Sequence, residues 1–533
     1  MTRLACVRLG VACLVKLIVV MPVASAPAAA DPLTPEQQRG KQIYLNGSTS
    51  SGRAVTALID KEAIEVPGAA APCASCHGDD GLGRPEGGIV PPNITWGHLT
   101  KTYGHHHPNG RKHPAFTEKT LAVAIIEGLD PAGNKLEAAM PRYSMAEPDI
   151  ADLVAYLKRL DTDRPPGVTE DTITVGTLLP LQGPLAEIGQ AMRAVMTACF
   201  EEVNAHGGIY NRKLKLEVSE YAEVPGDAAA TNFRRLIDGR HVFALVSAFS
   251  VGAEKELAAF MESVAVPLVG PFTLLPQDDS GLNRFTFYLF SGVEDQARVL
   301  LDFAAQKLPL SNPRVAVVYP GAGPFLGVVD AITAQVKKHQ WSPVERLGYF
   351  HDQFDPARLV RELRGRDIEV VFFLGSGGEL RAWMEEAKNQ RWTPYVLLSG
   401  PLAGKDIFDL PPDFAKDKIF LAYPTLPSDQ TRAGVTEFKA LQEKYQLSGR
   451  HLAAQISAFS AAKILIEGLK LVGKDLSREK LVGALEGIRE FDTGLTPRIT
   501  YGPNRHIGAR GAYVVTVDSE KNTLVPVSAW VTP

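Results

Sequence analysis

Short apolar runs alternate with longer amphipathic ones along the later two-thirds of the chain. ITVGTLLPL (Ile173 to Leu181) reads as a strand buried on both faces, and the stretch from Gly189 to Ala205 carries its apolar residues at helical spacing. KLKLEVSEY, a helical run through Asn232 to Ile237, VFALVSAF, a further helical run and VAVPLVG continue the alternation. A second series starts at RVAVVYP (Arg314 to Pro320) and runs through EVVFFLG (Glu369 to Gly375), YVLLSG (Tyr395 to Gly400) and KIFLAYP (Lys418 to Pro424). Such alternation predicts parallel sheets covered by helices on both faces, and two successive series predict two lobes.

The first third has a different texture, with helical patterns around a middle rich in Gly, Pro and His. Its boundary is the polar run DTDRPPGVTEDT (Asp161 to Thr172), where Pro165-Pro166-Gly167 predicts a linker. At the start, Arg3 and Arg8 precede an apolar run from about Val11 to Val23, and small residues lead to Ala28-Ala29-Ala30. That is the pattern of a secretory signal peptide cut before Asp31. The run is shorter than the roughly 20 apolar residues that span a bilayer. The expected organisation is a signal peptide over 1–30, a first domain over 31–160, a linker over 161–172 and a two-lobed domain over 173–533. The 533 residues suit about three units at roughly 100–200 residues each.

Composition adds little. A hydrophobic content of 45% and a net charge of −4 are those of ordinary soluble protein, with no pull towards nucleic acid or an anionic membrane. Cysteine usage says more. Cys6 and Cys13 leave with the signal, so the exported chain keeps Cys73, Cys76 and Cys199, which is no disulfide scaffold. Cys199 lies in the helical run AMRAVMTACFEEVN and is expected to be a buried structural thiol.

The other two cysteines stand in CASCH, Cys73 to His77. The CxxCH spacing follows from covalent chemistry: two thiols add to the two vinyl groups of one porphyrin, and the adjacent histidine reaches the iron. One covalently attached haem c is expected, with His77 as proximal ligand. Downstream, Met140 followed by Pro141 offers the second axial ligand, and Met145 is its competitor nearer a helix from about Pro148 to Leu160. His98, His105, His106, His107 and His113 are open to three readings: an exposed loop around Gly104 and Pro108, a metal site, or a replacement for Met140 on the iron.

On CASCHG, GRPEGGIVPPNIT, LAVAIIEGLDPAG, MPRYS and DIADLVAYLKRL, residues 34 to 160 resemble class I c-type cytochromes, in particular the modules that accompany periplasmic or membrane-bound alcohol and sugar dehydrogenases. The resemblance implies an all-α domain in which a helix at TPEQQRGKQIY crosses one at DIADLVAYLKRL. It also implies Met140 as distal ligand and Tyr156 in an aromatic contact at the crossing.

On ITVGTLLPLQGPLAEIGQ, EEVNAHGGIYNRKLKLEV, AFSVGAEKELAAFMESVAVPLVGPF, RVAVVYPG and GLTPRITYGPNRHIGARGAYVVTV, residues 172 to 533 resemble the solute-binding proteins of branched-chain amino acid transport, the type I periplasmic binding fold. This implies two α/β lobes that close on a ligand at the carboxyl ends of their strands. Ser250 falls where the family grips a ligand carboxylate, although an N-cap serine explains it equally well. Phe272, Thr273 and Leu274 depart from the family's small residues and threonine, and Phe325 in GAGPFLG stands for its aromatic contact. GSGGE (Gly375 to Glu379) lacks an aromatic, and SGPLAG (Ser399 to Gly404) lacks the acid that neutralises an ammonium group. An ammonium buried without a counter-charge is costly, so an apolar or aromatic carboxylate or alcohol is expected in place of a free amino acid.

The function expected is that of a periplasmic haem c electron carrier with a module for a small organic ligand. It would serve a redox partner such as an alcohol or sugar dehydrogenase or another cytochrome. The alternative is a receptor that delivers solute to an ABC permease, the cytochrome acting as tether or redox sensor. No enzyme is expected: no Rossmann fingerprint, nucleotide loop or nucleophile elbow occurs, and Met140 would close the iron site.

Overall fold

The computed structural model describes residues 33–533 apart from 60–63, 79, 84, 86–87, 222–227, 278–282, 322–324, 405, 410–416 and 519. The expected signal peptide lies outside the described residues, as does the middle of GAGPFLG. The chain forms two compact units, residues 1–163 and 164–533.

The first unit runs α1 (Pro35–Asn46), β1 (Thr56–Ile59), β2 (Ile64–Pro67), α2 (Cys73–His77), α3 (Trp96–Leu99), β3 (His105–His106), β4 (Lys112–His113), α4 (Glu118–Ile126), β5 (Arg142–Ser144) and α5 (Glu147–Leu157). Helix α1 starts sharply because Thr34 and Gln37 form a reciprocal capping box with Pro35 just inside. It then crosses α5 at Gly40. A Cβ there would lie 1.9 Å from the Asp152 carbonyl oxygen and 2.8 Å from Tyr156 Cβ, so only hydrogen lets the backbones approach. One turn on, the rings of Tyr44 and Tyr156 meet at 5.6 Å, the aromatic contact the resemblance implies. Arg39 closes the crossing with two hydrogen bonds to Asp152, at 2.7 and 2.9 Å. Ile43, Leu121, Ile125, Leu153 and Leu157 fill the core. To this helical frame the chain adds a small antiparallel sheet, β2-β1-β5, and the hairpin β3–β4.

The first lobe of the second unit opens with β6 (Thr172–Leu179), α6 (Ala186–Ala205), β7 (Lys213–Glu220), α7 (Ala228–Arg240), β8 (Ala244–Val246), α8 (Glu254–Val264), β9 (Leu268–Val269) and β10 (Thr286–Phe290). The second lobe follows with α9 (Val293–Lys307), β11 (Val315–Pro320), α10 (Leu326–Lys338), β12 (Glu345–Tyr349), α11 (Pro356–Gly365), β13 (Val370–Phe373), α12 (Gly377–Asn389), β14 (Tyr395–Ser399), α13 (Gly400–Ala403) and β15 (Ile419–Tyr423). The lobes are then interleaved, where the sequence suggested two consecutive series. The chain returns to the first lobe for α14 (Arg432–Tyr445), α15 (Leu452–Val472), α16 (Arg478–Glu486) and β16 (Ile507–Ala509), and ends in the second with β17 (Tyr513–Asp518) and β18 (Thr523–Pro526).

Helix α15 explains the return. It is apolar on nearly every side and needs cover all round. Strands β8 to β10, α6 and α16 provide it. By length and composition it is the one helix among the described residues able to cross a membrane, and it is mostly buried inside this unit. The first lobe's sheet, β16-β10-β9-β8-β6-β7, is parallel throughout. The second, β12-β11-β13-β14-β15-β17-β18, is parallel until β17 and β18 add an antiparallel edge. Two of the crossings between lobes touch: Ser291 accepts from Gly511 N–H at 2.8 Å and donates to Asp295 at 3.1 Å.

Gly40→Ala is expected to destabilise the protein by about 1–3 kcal/mol through overpacking at the α1–α5 crossing. Urea unfolding of the full chain checks this, and an unchanged midpoint would mean that the backbones are not in contact there.

Candidate haem and ligand sites

Helix α2 is the CASCH run itself, so Cys73, Cys76 and His77 lie within little more than one turn. The segment before it is held by Tyr143, whose hydroxyl donates to Ala71 O at 2.6 Å, and the residue after it by Tyr44, which donates to Gly78 O at 2.6 Å. Neither cysteine is in a disulfide; burial pushes the Cys73 thiol up to about 12. The His77 ring is buried, which holds it below its ordinary value. Its Nδ1 lies 3.1 Å from Pro92 O, and a carbonyl only accepts, so Nδ1 carries the proton and Nε2 keeps a lone pair. This is the orientation a histidine ligand needs. The segment that passes the ring also exposes Leu82, Ile89 and Val90, apolar surface suited to the rim of a flat macrocycle. The donor set and its surroundings therefore fit a haem c.

Met140 and Met145 are both half-buried against the same core. What distinguishes Met140 is its loop. The Arg142 guanidinium donates to the carbonyls of Met140 and, at 3.1 Å, Leu136. Gly128 makes room for it: a Cβ there would fall 1.6 Å from Arg142 Nε. Arg142 thus shapes the loop that carries Met140. The histidine run is not a featureless exposed loop, because it folds into the β3–β4 hairpin with His113 buried.

In the second unit, the carboxyl ends of the parallel strands bring distant residues together. Ser250 is not an N-cap, since α8 begins after Ala253, beyond a turn with Gly252 at φ +87°. Its hydroxyl makes one long contact, 3.4 Å to Phe272 O. The carboxylate at this corner is the chain's own. Glu254 accepts from Gly252 N–H at 3.0 Å and from the Thr273 hydroxyl at 2.9 Å. Burial pushes Glu254 above its ordinary 4.5, against those hydrogen bonds. Around it, Phe249 stacks on Phe272 at 5.8 Å and meets Tyr221 edge-on at 5.3 Å.

In the second lobe Phe325 precedes α10 and packs, half-buried, on the core. The aromatic absent from GSGGE comes from β12, two strands away across β11: a Cβ on Gly375 would lie 2.3 Å from the Tyr349 hydroxyl. Likewise a Cβ on Gly400 would lie 2.3 Å from the Tyr423 ring. Tyr349 donates to Glu379 at 3.0 Å, and His351 Nδ1 lies 2.8 Å from the same carboxylate. Burial raises Glu379, but the hydrogen bonds from Ser376, His351 and Tyr349 outweigh it and hold the group below its ordinary range.

Sequence reasoning named Ser250, Phe272, Thr273 and Phe325 and missed Glu254, Tyr349, Tyr423 and Arg142. Only Arg142, two residues after Met140, had a local signal. The tyrosines reach their places through strand pairing alone.

With this geometry, the second unit is a two-lobed binding protein and the first a c-type cytochrome. Residues 172–522 match the family described as periplasmic binding protein, and the chain belongs to it. Residues 68–161 match cytochrome c. The Leu/Ile/Val-binding protein BraC3 of Rhizobium johnstonii is 23% identical over 335 residues, covering 62% of this chain and 87% of that protein. Leu/Ile/Val-binding protein homolog 8 of Brucella abortus is 24% identical, covering 59% and 80%. Among solved structures, a branched-chain amino acid ABC transporter protein from Thermus thermophilus with bound valine has a TM-score of 0.56 at 17% identity, covering 69% of this chain and 98% of that one. A fatty acid ABC transporter substrate-binding protein from Thermomonospora curvata has a TM-score of 0.55 at 18% identity, covering 70% and 95%.

A carboxyl whose folded value is raised is protonated more readily folded than unfolded. Stability should therefore fall as pH climbs from 4.5 through the raised Glu254 value. Glu254→Gln is expected to remove that fall, measured as urea midpoints against pH; an unchanged slope would assign it to other groups.

Proposed function

We propose that this is an exported haem c protein that couples an electron carrier to the binding of a small neutral aromatic or apolar ligand, an alcohol being the chemistry that suits it best. The observation that carries the reading is the union in one chain of a cytochrome c domain and a binding unit whose ligand corner already contains a carboxylate. A signal peptide over 1–30 directs export to the periplasm, and a linker over 161–172 joins the cytochrome domain (31–160) to the binding domain (173–533).

Cys73 and Cys76 would hold one haem covalently, with His77 and Met140 as the ligands of its iron. When bound, that group supplies a one-electron couple. The chain's residues do the rest: Pro92 fixes the His77 tautomer, and Arg142 holds the Met140 loop. In the binding unit, Glu254 occupies the amide and hydroxyl donors that a ligand carboxylate would otherwise seek. Phe272 and Tyr221, backed by the buried Phe249, offer apolar surface on one lobe, and Tyr423 does so on the other, with the buried Tyr349 behind Gly375. This narrows the expectation of a carboxylate or alcohol to the alcohol. Redox partners are a periplasmic dehydrogenase or another cytochrome, and no chemistry of its own is assigned to the chain.

The names of the relatives support a second reading, a receptor that hands its solute to an ABC permease. Under that reading uptake-linked growth is lost with the binding unit and kept after Cys73→Ala/Cys76→Ala.

Calorimetric titration with benzyl alcohol and with leucine tests the ligand chemistry, and tight leucine binding overturns it. Redox titration with and without benzyl alcohol tests coupling, because a ligand that shifts the potential must bind the two redox states unequally. Met140→Ala should abolish the methionine-to-iron charge-transfer band of the oxidised protein and lower its potential. Arg142→Ala should weaken the same band, since the loop loses hydrogen bonds worth about 0.5–1.5 kcal/mol each. A band that survives Met140→Ala would reassign the distal ligand.

A further inference from the structure

The β3–β4 hairpin gathers imidazoles that neither the haem ligation nor the binding cleft uses. Antiparallel pairing sets His105 opposite His113 and His106 opposite Lys112, and the ladder continues with His107 N–H donating to Arg111 O at 2.9 Å. Strand side chains alternate between faces, so His105 and His107 share one face with cross-strand His113, and His106 takes the other. The rings follow this rule. Centroids of His105 and His113 are 5.0 Å apart, those of His107 and His113 5.1 Å, and His98 approaches His105 at 4.9 Å from α3.

Protonation sharpens the geometry. His113 Nδ1 lies 2.8 Å from Pro114 O and must donate to it, so the neutral ring keeps its lone pair on Nε2. That Nε2 lies 2.9 Å from His107 Nε2. Without a cation His107 Nε2–H donates to that lone pair, and a cation would take the place of this proton between the two nitrogens.

We infer that His107, His113 and His105 form a binding site for a dication of the zinc and copper class, separate from the haem. Neutral imidazoles suit these metals, whereas calcium and magnesium prefer oxygen donors. The anchoring of His113 Nδ1 on a backbone carbonyl is the outer-shell contact that metal-binding histidines share. Among the described residues no three such groups already enclose one point. The third ligand therefore comes by rotation of His105, whose Nε2 makes only a marginal 3.4 Å contact with Leu99 O. Arg111 stands across the hairpin from His107, its carbonyl accepting from the His107 N–H. Arg111 is itself paired with the buried Asp130 at 2.9 Å, which offsets its repulsion of a cation.

The test uses the full-length haem-loaded protein, stripped with a chelator and titrated separately with ZnCl2 and CuCl2 by calorimetry, with metal per chain counted after dialysis. A single ion of either metal is expected to bind with a Kd of about micromolar or tighter, near −8 kcal/mol. His113→Ala and His107→Asn should each weaken binding by about tenfold or more. His106→Ala, on the opposite face, should leave it unchanged. If buried His113→Ala fails to fold, the partly exposed His107→Asn decides, with circular dichroism confirming its fold. Binding of both ions only at millimolar concentration, or equal binding by wild type and His107→Asn, would overturn the proposal.

Discussion

Parallel strands joined through helices all end on the same side of their sheet, and the proposed ligand site depends on that constraint. In the first lobe it brings the ends of β8 and β9 together, so that Phe249, Phe272, Thr273 and Glu254 meet although nearly 25 positions of chain separate the first from the third. In the second it aligns the ends of β12, β13, β14 and β15, where Tyr349 covers Gly375 and Tyr423 covers Gly400. No loop builds either corner alone.

The haem unit depends on a different kind of closeness. Two helices cross with hydrogen as the only spacer at Gly40, and the segments between them are then fastened to backbone carbonyls: Tyr44 to Gly78, Tyr143 to Ala71, His77 to Pro92 and Arg142 to Met140. Short helices and loops have little cooperativity of their own. Side chains that donate to main-chain oxygens hold this part of the unit in place of long regular elements.

What was legible in the sequence follows from range. CASCH states its chemistry within five residues, and the apolar runs announce β6, β11, β13, β14 and β15 within the length of each strand. Both families were legible for the same reason, through runs in the right order. Register was not legible. The contact of Tyr349 with Gly375, the union of His105 with His113 and the return of α15 to the first lobe are set by pairing and burial between distant segments. Ser250 shows the same limit over a shorter span. It has the residue type of a cap, but Gly252 takes φ +87° and carries the helix start past it.

The tyrosines over Gly375 and Gly400 bear on how this protein changes over generations. A side chain gained at either glycine enters space that a tyrosine already holds, and a tyrosine lost leaves bare backbone at the cleft. The positions are thus sterically tied in couples, Gly375 with Tyr349 and Gly400 with Tyr423. A larger side chain at either glycine therefore requires a smaller one at its tyrosine, so filling this space takes two replacements.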